Sequence, residues 1–252
     1  VLTSEQGDTD KVAETIAECK RIGIPVLPPD VNESFSQFTV IKDEQKKYRI
    51  RFGLVTIKNF GQGISTAIID ERKRGGKFKS LSDFLDRVKD KNLNKKSLES
   101  LIKAGAMDCF GVDRGIMLAN LDLMLEYNKE NSSQHADQNS LFGGMTDMSS
   151  VPTLKLIEVP PAEMRDKLAW EKELLGLYIS GHPLERYRDI ITKNGMDIKK
   201  AFETVKEGAA TIFAGIITEV REIQTKKNET MAFVTIQDFS ATAEAVVFPR
   251  TY

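Results

Sequence analysis

The sequence predicts a mainly α module followed by an all-β segment. Three observations carry that expectation. Between residues 53 and 127 apolar residues recur at helical spacing, in runs punctuated by Gly, Ser, Asn and Asp. From Thr211 onward the texture changes to short β-rich runs around a polar turn. Residues 131–153, rich in Ser, Asn, Gln, Gly and Met and without period, read as a linker between the two.

The elements follow in order. Residues 10–21 carry Val12, Ile16 and Cys19 at helical spacing, and Gly23 with Pro25, Pro28 and Pro29 ends that run. Residues 38–41 and 48–52 read as two strands, with Tyr48, Ile50 and Phe52 on one face and Arg49 and Arg51 on the other. Residues 53–57 form a short helix. A tight hairpin at Gly61-Gln62-Gly63 then opens a longer helix, with Ile64, Ala67 and Ile68 inward and Gly75-Gly76 as its stop. Ser80 or Ser82 caps a short helix to Val88 that buries Phe84 and Leu85. Asn94 starts a helix striped by Leu98, Leu101 and Ile102. Asp113 caps another, carrying Leu118, Leu121 and Leu125. Residues 94–127 thus repeat the layout of the first helix–turn–helix unit, with Gly105 to Gly111 as a looser turn. Two units in tandem predict a compact helical module around one core. Pro160-Pro161 opens a helix over residues 162–177, and Ser180-Gly181-His182-Pro183-Leu184 breaks it. Residues 211–223, 231–236 and 243–248 read as three meandering strands with Gly215 disturbing the first. They suit the beginning of a small barrel of the oligonucleotide-binding type, an OB-fold left incomplete because five strands are needed.

Composition bounds the function. The 252 residues are 40% apolar and 29% charged, as in a water-soluble globular protein. No apolar run reaches the roughly 20 residues of a membrane span. Cys19 and Cys109 lack a CxxC partner, and with only two histidines a zinc site has little material. A reducing, cytoplasmic setting is the simplest expectation. The chain starts at Val1 and reads as a piece of a longer protein. The net charge of −1 conceals segregation: residues 42–110 hold 17 Lys/Arg against nine Asp/Glu. Such a block points to phosphate, although a solvated charged face is an equally common use.

The search for catalysis ends empty. There is no Asp-x-Asp strand pair, no GK[ST] phosphate loop, no nucleophile elbow and no HExxH, so no catalytic or metal-ligating residue is assigned. His135 falls in the linker, and His182 reads as a turn residue whose imidazole bonds a carbonyl. The Gly61-Gln62-Gly63 hairpin is the sharper signal. A helix N-terminus presents unpaired N–H donors and the positive end of the dipole, which suits a phosphate. Lys58, Asn59, Gly61, Gln62, Gly63, Arg72, Arg74 and Lys77 are therefore the candidate phosphate-binding residues. The alternative is an αα-hairpin whose glycines serve close packing alone.

Two further stretches carry weaker signals. Gln138-Asn139-Ser140-Leu141-Phe142 places two large apolar residues in a polar segment. They either tuck back onto their own domain or fill a partner's pocket while Gln138 bonds its rim. Lys226 and Lys227 on the first β-turn, with Phe233 on the next strand, combine cations with a stacking ring, as a single-strand surface does. A solvated hairpin tip with a core Phe reads as well.

Taken together, these segments resemble the bacterial replicative DNA polymerase III alpha subunits, a C-family of DNA-directed DNA polymerases. The resemblance is carried by residues 23–32 (GIPVLPPDVN), 52–63, 101–108 (LIKAGAMD), 170–176 (WEKELLG) and 180–184 (SGHPL), in the family's order over nearly the whole chain. It implies the end of a fingers domain at 1–52, a tandem helix-hairpin-helix DNA-binding and clamp-binding domain at 53–130, a linker with a clamp motif at 131–153, a helical connector at 154–207 and the first OB-fold strands at 208–252. It also implies duplex DNA and the sliding clamp (the beta subunit) as partners, the latter through Gln138, Leu141 and Phe142. Single-stranded template and other holoenzyme subunits follow as further partners, in the bacterial cytoplasm and without a membrane. The family's palm carboxylates, with two magnesium ions, would lie upstream of this chain. A non-enzymatic helix-hairpin-helix DNA-binding adaptor is the runner-up, and a helical scaffold without nucleic acid the third reading.

Overall fold

A computed structural model describes residues 22–42, 47–137, 154–194 and 197–252, together with 11, 12, 15, 16, 18 and 19. The side chains of 131–137, 192 and 194 lie outside that description. The chain divides into two compact units, Val1–Ser180 and Gly181–Tyr252.

In the first unit, the short strands β1 (Val26–Leu27), β2 (Thr39–Lys42) and β3 (Tyr48–Arg51) make a sheet of order β1-β3-β2. β2 and β3 are the expected antiparallel pair, with Val40 opposite Ile50. β1 adds parallel to β3, a pairing its two residues gave no pattern to reveal. Arg51, expected on the face opposite Ile50, is buried: it ion-pairs with Glu33 and donates to the Pro28 carbonyl. The loop after β1 is fixed just as closely. Ser34 Oγ donates to the Phe52 carbonyl (2.6 Å), and a Cβ on Gly53 would come within 2.4 Å of the Gln37 backbone. Only glycine fits there.

After a single 3-10 turn, Leu54–Thr56, come α1 (Gln62–Gly75), α2 (Leu81–Arg87), α3 (Lys95–Lys103), α4 (Arg114–Ala119), α5 (Leu121–Asp137) and α6 (Met164–Leu175). Ser80 caps α2 and Asn94 caps α3 in a reciprocal capping box with Ser97. Gly76, with φ 77°, ends α1. The helix expected from Asp113 through Leu125 is split at Asn120, whose side chain bonds the Ile116 carbonyl and both backbone groups of Ile157. α5 also runs on through Asp137, seven residues into the expected linker. One core joins Phe52, Leu54, Ile57, Ile64, Ile68, Phe84, Leu98, Leu101 and Ile102 to Leu174 and Leu175 of α6. Each such side chain contributes about 1.5–3 kcal/mol on burial. The expected boundaries at 52 and 153 therefore fall between segments that share a core.

In the second unit, α7 (Arg188–Asn194) and α8 (Ile198–Thr204) precede a β4-β5-β6 meander of Ile216–Gln224, Thr230–Gln237 and Thr242–Val247. The first strand begins five residues later than its texture suggests, and its register shifts between Ile217 and Glu219. Buried Asp238 accepts from the backbone N–H groups of Ile198, Ser240 and Ala241, tying α8 to the sheet.

Candidate nucleic-acid interface

The first turn is built on two buried anchors, Ile57 and Phe60, which leave Lys58 and Asn59 exposed between them. Phe60 N–H donates to the Ile57 carbonyl (3.1 Å), and Asn59 takes the left-handed conformation at φ 66°. The reversal thus sits on Asn59, a residue that tolerates this region, and Gln62 and Gly63 already belong to α1. Gly61 is the N-cap (φ −85°, ψ 159°), with no capping side chain and no acidic residue in the first turn. A side chain on Gly61 would meet nothing within 4 Å, so neither packing nor backbone angle demands glycine there. The result is a helix end whose first N–H groups keep their donor capacity, with the dipole's positive end behind them. Lys58 N–H donates to the Leu174 carbonyl (3.0 Å), pinning the turn to the last turn of α6. A groove beside it is lined by Lys58, Asn59, Gly61, Lys172, Glu173 and Gly176.

The basic run that follows is less free than its sequence suggests. Arg72 donates to the Val31 carbonyl (2.8 Å) and lays its guanidinium over Phe35; burial holds its pKa below the ordinary arginine value. Arg74 makes two bonds to Glu71 (2.8 and 3.0 Å), which also receives Arg87. Lys77 pairs with Glu33 (3.3 Å) and Lys73 with Asp70 (3.5 Å). Arg74 and Lys77 remain 76% and 69% exposed, so a phosphate can compete for them; Arg72 is committed to the fold. Among the described residues Lys58 is exposed and makes no ion pair.

The second turn has a different construction. Asp113 caps α4 by accepting the Gly115 N–H (2.8 Å), and the same carboxylate accepts Ala162 N–H and Lys167 Nζ (2.6 Å). Burial alone would raise its pKa, but Lys167 and the two N–H groups outweigh that and hold it below the ordinary value. Arg114, almost fully buried, makes a forked contact to Asp108 and bonds Glu171 (3.0 Å), itself 1% exposed. Glu171 in turn accepts the N–H groups of Ile179 and Ser180. Here the helix end is already occupied by a carboxylate.

Comparison with known proteins agrees with this layout. A helix-hairpin-helix motif family matches residues 23–117. The chain is 40% identical over its whole length to the DNA polymerase III subunit alpha of Thermus aquaticus, and covers 20% of that protein. The corresponding protein of Borreliella burgdorferi is 38% identical, with 22% of it covered, and that of Bacillus subtilis likewise. The chain belongs with the DNA polymerase III alpha subunits. It spans about a fifth of the length of the curated relatives it matches.

The remaining expected residues fall as follows. Gln138, Leu141 and Phe142 lie outside the described residues. Lys226 and Lys227 are exposed on the β4–β5 turn, which Asn228 reverses at φ 63°. Phe233 is half-buried opposite Arg221, whose guanidinium stands 5.0 Å from the ring centre. Arg221 is the cation that sequence reading missed there; the register of the two strands, not the turn, brings it to the ring. His182 Nδ1 accepts the Leu184 N–H (3.2 Å), so its turn role stands with an amide in place of the expected carbonyl. Asp113, Arg114 and Glu171 were missed as a unit, because Arg114 and Glu171 stand 57 positions apart and no local signal links them. Among the described residues no group of three or more His, Cys, Asp or Glu could hold a metal ion, and no helix is long and apolar enough to cross a membrane.

Proposed function

We propose that this chain is the duplex-gripping and clamp-docking region of a bacterial replicative DNA polymerase, serving template-directed synthesis in the cytoplasm. The observation that carries the reading is the uncapped end of α1 beside exposed Lys58, inside the span that matches a helix-hairpin-helix motif. Lys58 and the first-turn N–H groups take one strand's phosphates, with Arg74 and Lys77 farther along. The contacts carry no base information, so binding is independent of sequence. Two magnesium ions belong with palm carboxylates outside this chain, and no step through them is assigned to its residues. Gln138, Leu141 and Phe142 dock the sliding clamp as a short linear motif. Arg221, Lys226, Lys227 and Phe233 meet single-stranded template by charge and stacking.

Salt titration of duplex binding by the chain tests the grip. Log affinity should fall linearly with log salt, by about 0.9 for each phosphate neutralised. Duplex binding absent even at low salt overturns the reading. The clamp assignment has its own test: Leu141→Ala with Phe142→Ala should abolish clamp binding, and unchanged affinity sinks it.

A further inference from the structure

A second feature of the first unit is not absorbed by the duplex grip. Residues 35–39 and the outer face of α1 enclose an open hollow. Its floor is Phe38 and Ile69, its rim Phe35 and Lys73, and its polar lining includes Thr66 and Asp70. A lone exposed Phe is ordinary on a protein surface. Phe35 differs in three respects.

It is held rigidly. The carbonyls of Phe35 and Ser36 accept the N–H groups of Leu54 (2.9 Å) and Val55 (3.0 Å), and the loop lies hard against Gly53. The ring is nevertheless 45% exposed. A cation already backs it: the Arg72 guanidinium, fixed on the Val31 carbonyl, stands 5.4 Å from its centre. Lys73, 65% exposed and only loosely paired with Asp70 at 3.5 Å, offers a charge at the rim. Finally, the hollow is continuous with the hairpin. Gln62 Nε2 donates to Ser36 Oγ (3.2 Å) and approaches Thr66 Oγ1 (3.4 Å). Gln62, Thr66, Asp70 and Lys73 then run along one exposed face of α1, about 17 Å at 1.5 Å per residue.

We propose that this hollow is a stacking site for one unpaired base of a DNA strand leaving the duplex held at the hairpin. The base lies on Phe35, its phosphate meets Lys73, and the Asp70 carboxylate accepts from the amino group of those bases that carry one. The proposal rests on the duplex reading above and extends it to a junction between duplex and single strand. Stacking on one aromatic is sequence-tolerant, because every base has a π-face.

The test uses the full chain with a blunt duplex, the same duplex carrying a four-nucleotide tail on either strand, and the tail alone. A 2-aminopurine in the tail reports stacking. The tailed duplex should bind roughly tenfold tighter than the blunt one, as one stacked base provides, with the 2-aminopurine quenched. Phe35→Ala should remove that gain and leave blunt-duplex affinity unchanged; Phe35→Trp should retain it. A tail that adds nothing, or a gain that survives Phe35→Ala, overturns the stacking site, leaves the duplex grip intact and points the hollow to a protein partner. Phe35-dependent quenching by the tail alone, with no blunt-duplex binding, supports the stacking site while removing the grip. No binding of any probe removes both.

Discussion

The two helix–turn–helix units of this chain share a layout and differ in what closes their turns. The first ends in Gly61, exposed and without a capping side chain, beside Lys58, which makes no ion pair among the described residues. The second ends in Asp113, whose carboxylate serves Gly115, Ala162 and Lys167 at once, and is followed by the buried Arg114–Glu171 pair. One helix end faces solvent with donors to spare; the other is consumed by the protein itself. A repeated motif is thus no guide to repeated use. The capping residue decides, because it sets whether the helix's first N–H groups and dipole are free for an anion.

Breaking the second turn should give the largest effect. Glu171→Ala leaves Arg114 a buried cation with one partner fewer, and should destabilise the first unit by about 3–5 kcal/mol in urea unfolding. A cost below about 1 kcal/mol would mean the pair adds no more than a surface ion pair, and the contrast between the turns would lose its energetic basis. Asp113→Ala comes next, at about 1–2 kcal/mol near neutral pH for the lost cap. Its sign with pH follows from the carboxyl being held below 3.8 in the folded chain. The stability it contributes is present above that value and disappears as pH falls through the lower, folded-state value. Wild type and Asp113→Ala should therefore differ at pH 7 and converge below pH 3.8 in acid unfolding curves.

The contrast also shows what could be read from the chain beforehand. Local chemistry was legible: Asn94 and Asp113 cap the helices they were expected to cap, Ser80 is the one of the two candidate serines that caps α2, and Gly76 stops α1. The apolar stripes of α1 and α3 face the core as their spacing predicts. What escaped was non-local. Arg72 looks like a phosphate ligand in a basic run, yet its partner is the Val31 carbonyl, 41 residues earlier. Arg51 alternates like an outward strand residue, yet Glu33 and Pro28 bury it. The turn's left-handed residue proved to be Asn59, between the expected glycines and the 3-10 turn, because Gln62 and Gly63 are drawn into the helix. Tertiary partners reassign charged residues in ways no spacing rule encodes, whereas caps and stripes are settled within four residues.

Two substitutions in the first turn sharpen the comparison at smaller cost. Lys58→Ala should weaken duplex binding about three- to tenfold and lower the salt slope by about one, with stability unchanged within about 0.5 kcal/mol. Arg72→Ala should do the reverse, costing stability through the orphaned Val31 carbonyl while the slope stays put. If the two variants shift the slope alike, Arg72 leaves its carbonyl when DNA binds and the partition between fold and grip fails.

Gly61→Asp is the mildest change to the fold and the most direct exchange between the units, since it gives the first turn the cap of the second. The site has room, and its φ and ψ are ones that Asp adopts in many N-caps. An Asp cap in place of Gly should raise stability by a few tenths of a kcal/mol, read as a small upward shift in the unfolding midpoint. The same carboxylate would occupy the N–H groups offered to phosphate and add a negative charge where the phosphate sits, so duplex affinity should fall at low salt. Stability and binding then move in opposite directions from one atom group, which a general packing defect cannot produce. Should Gly61→Asp leave duplex affinity unchanged, the open helix end is not the phosphate cradle, and the glycine in the first turn and the aspartate in the second are equivalent ways of ending a loop.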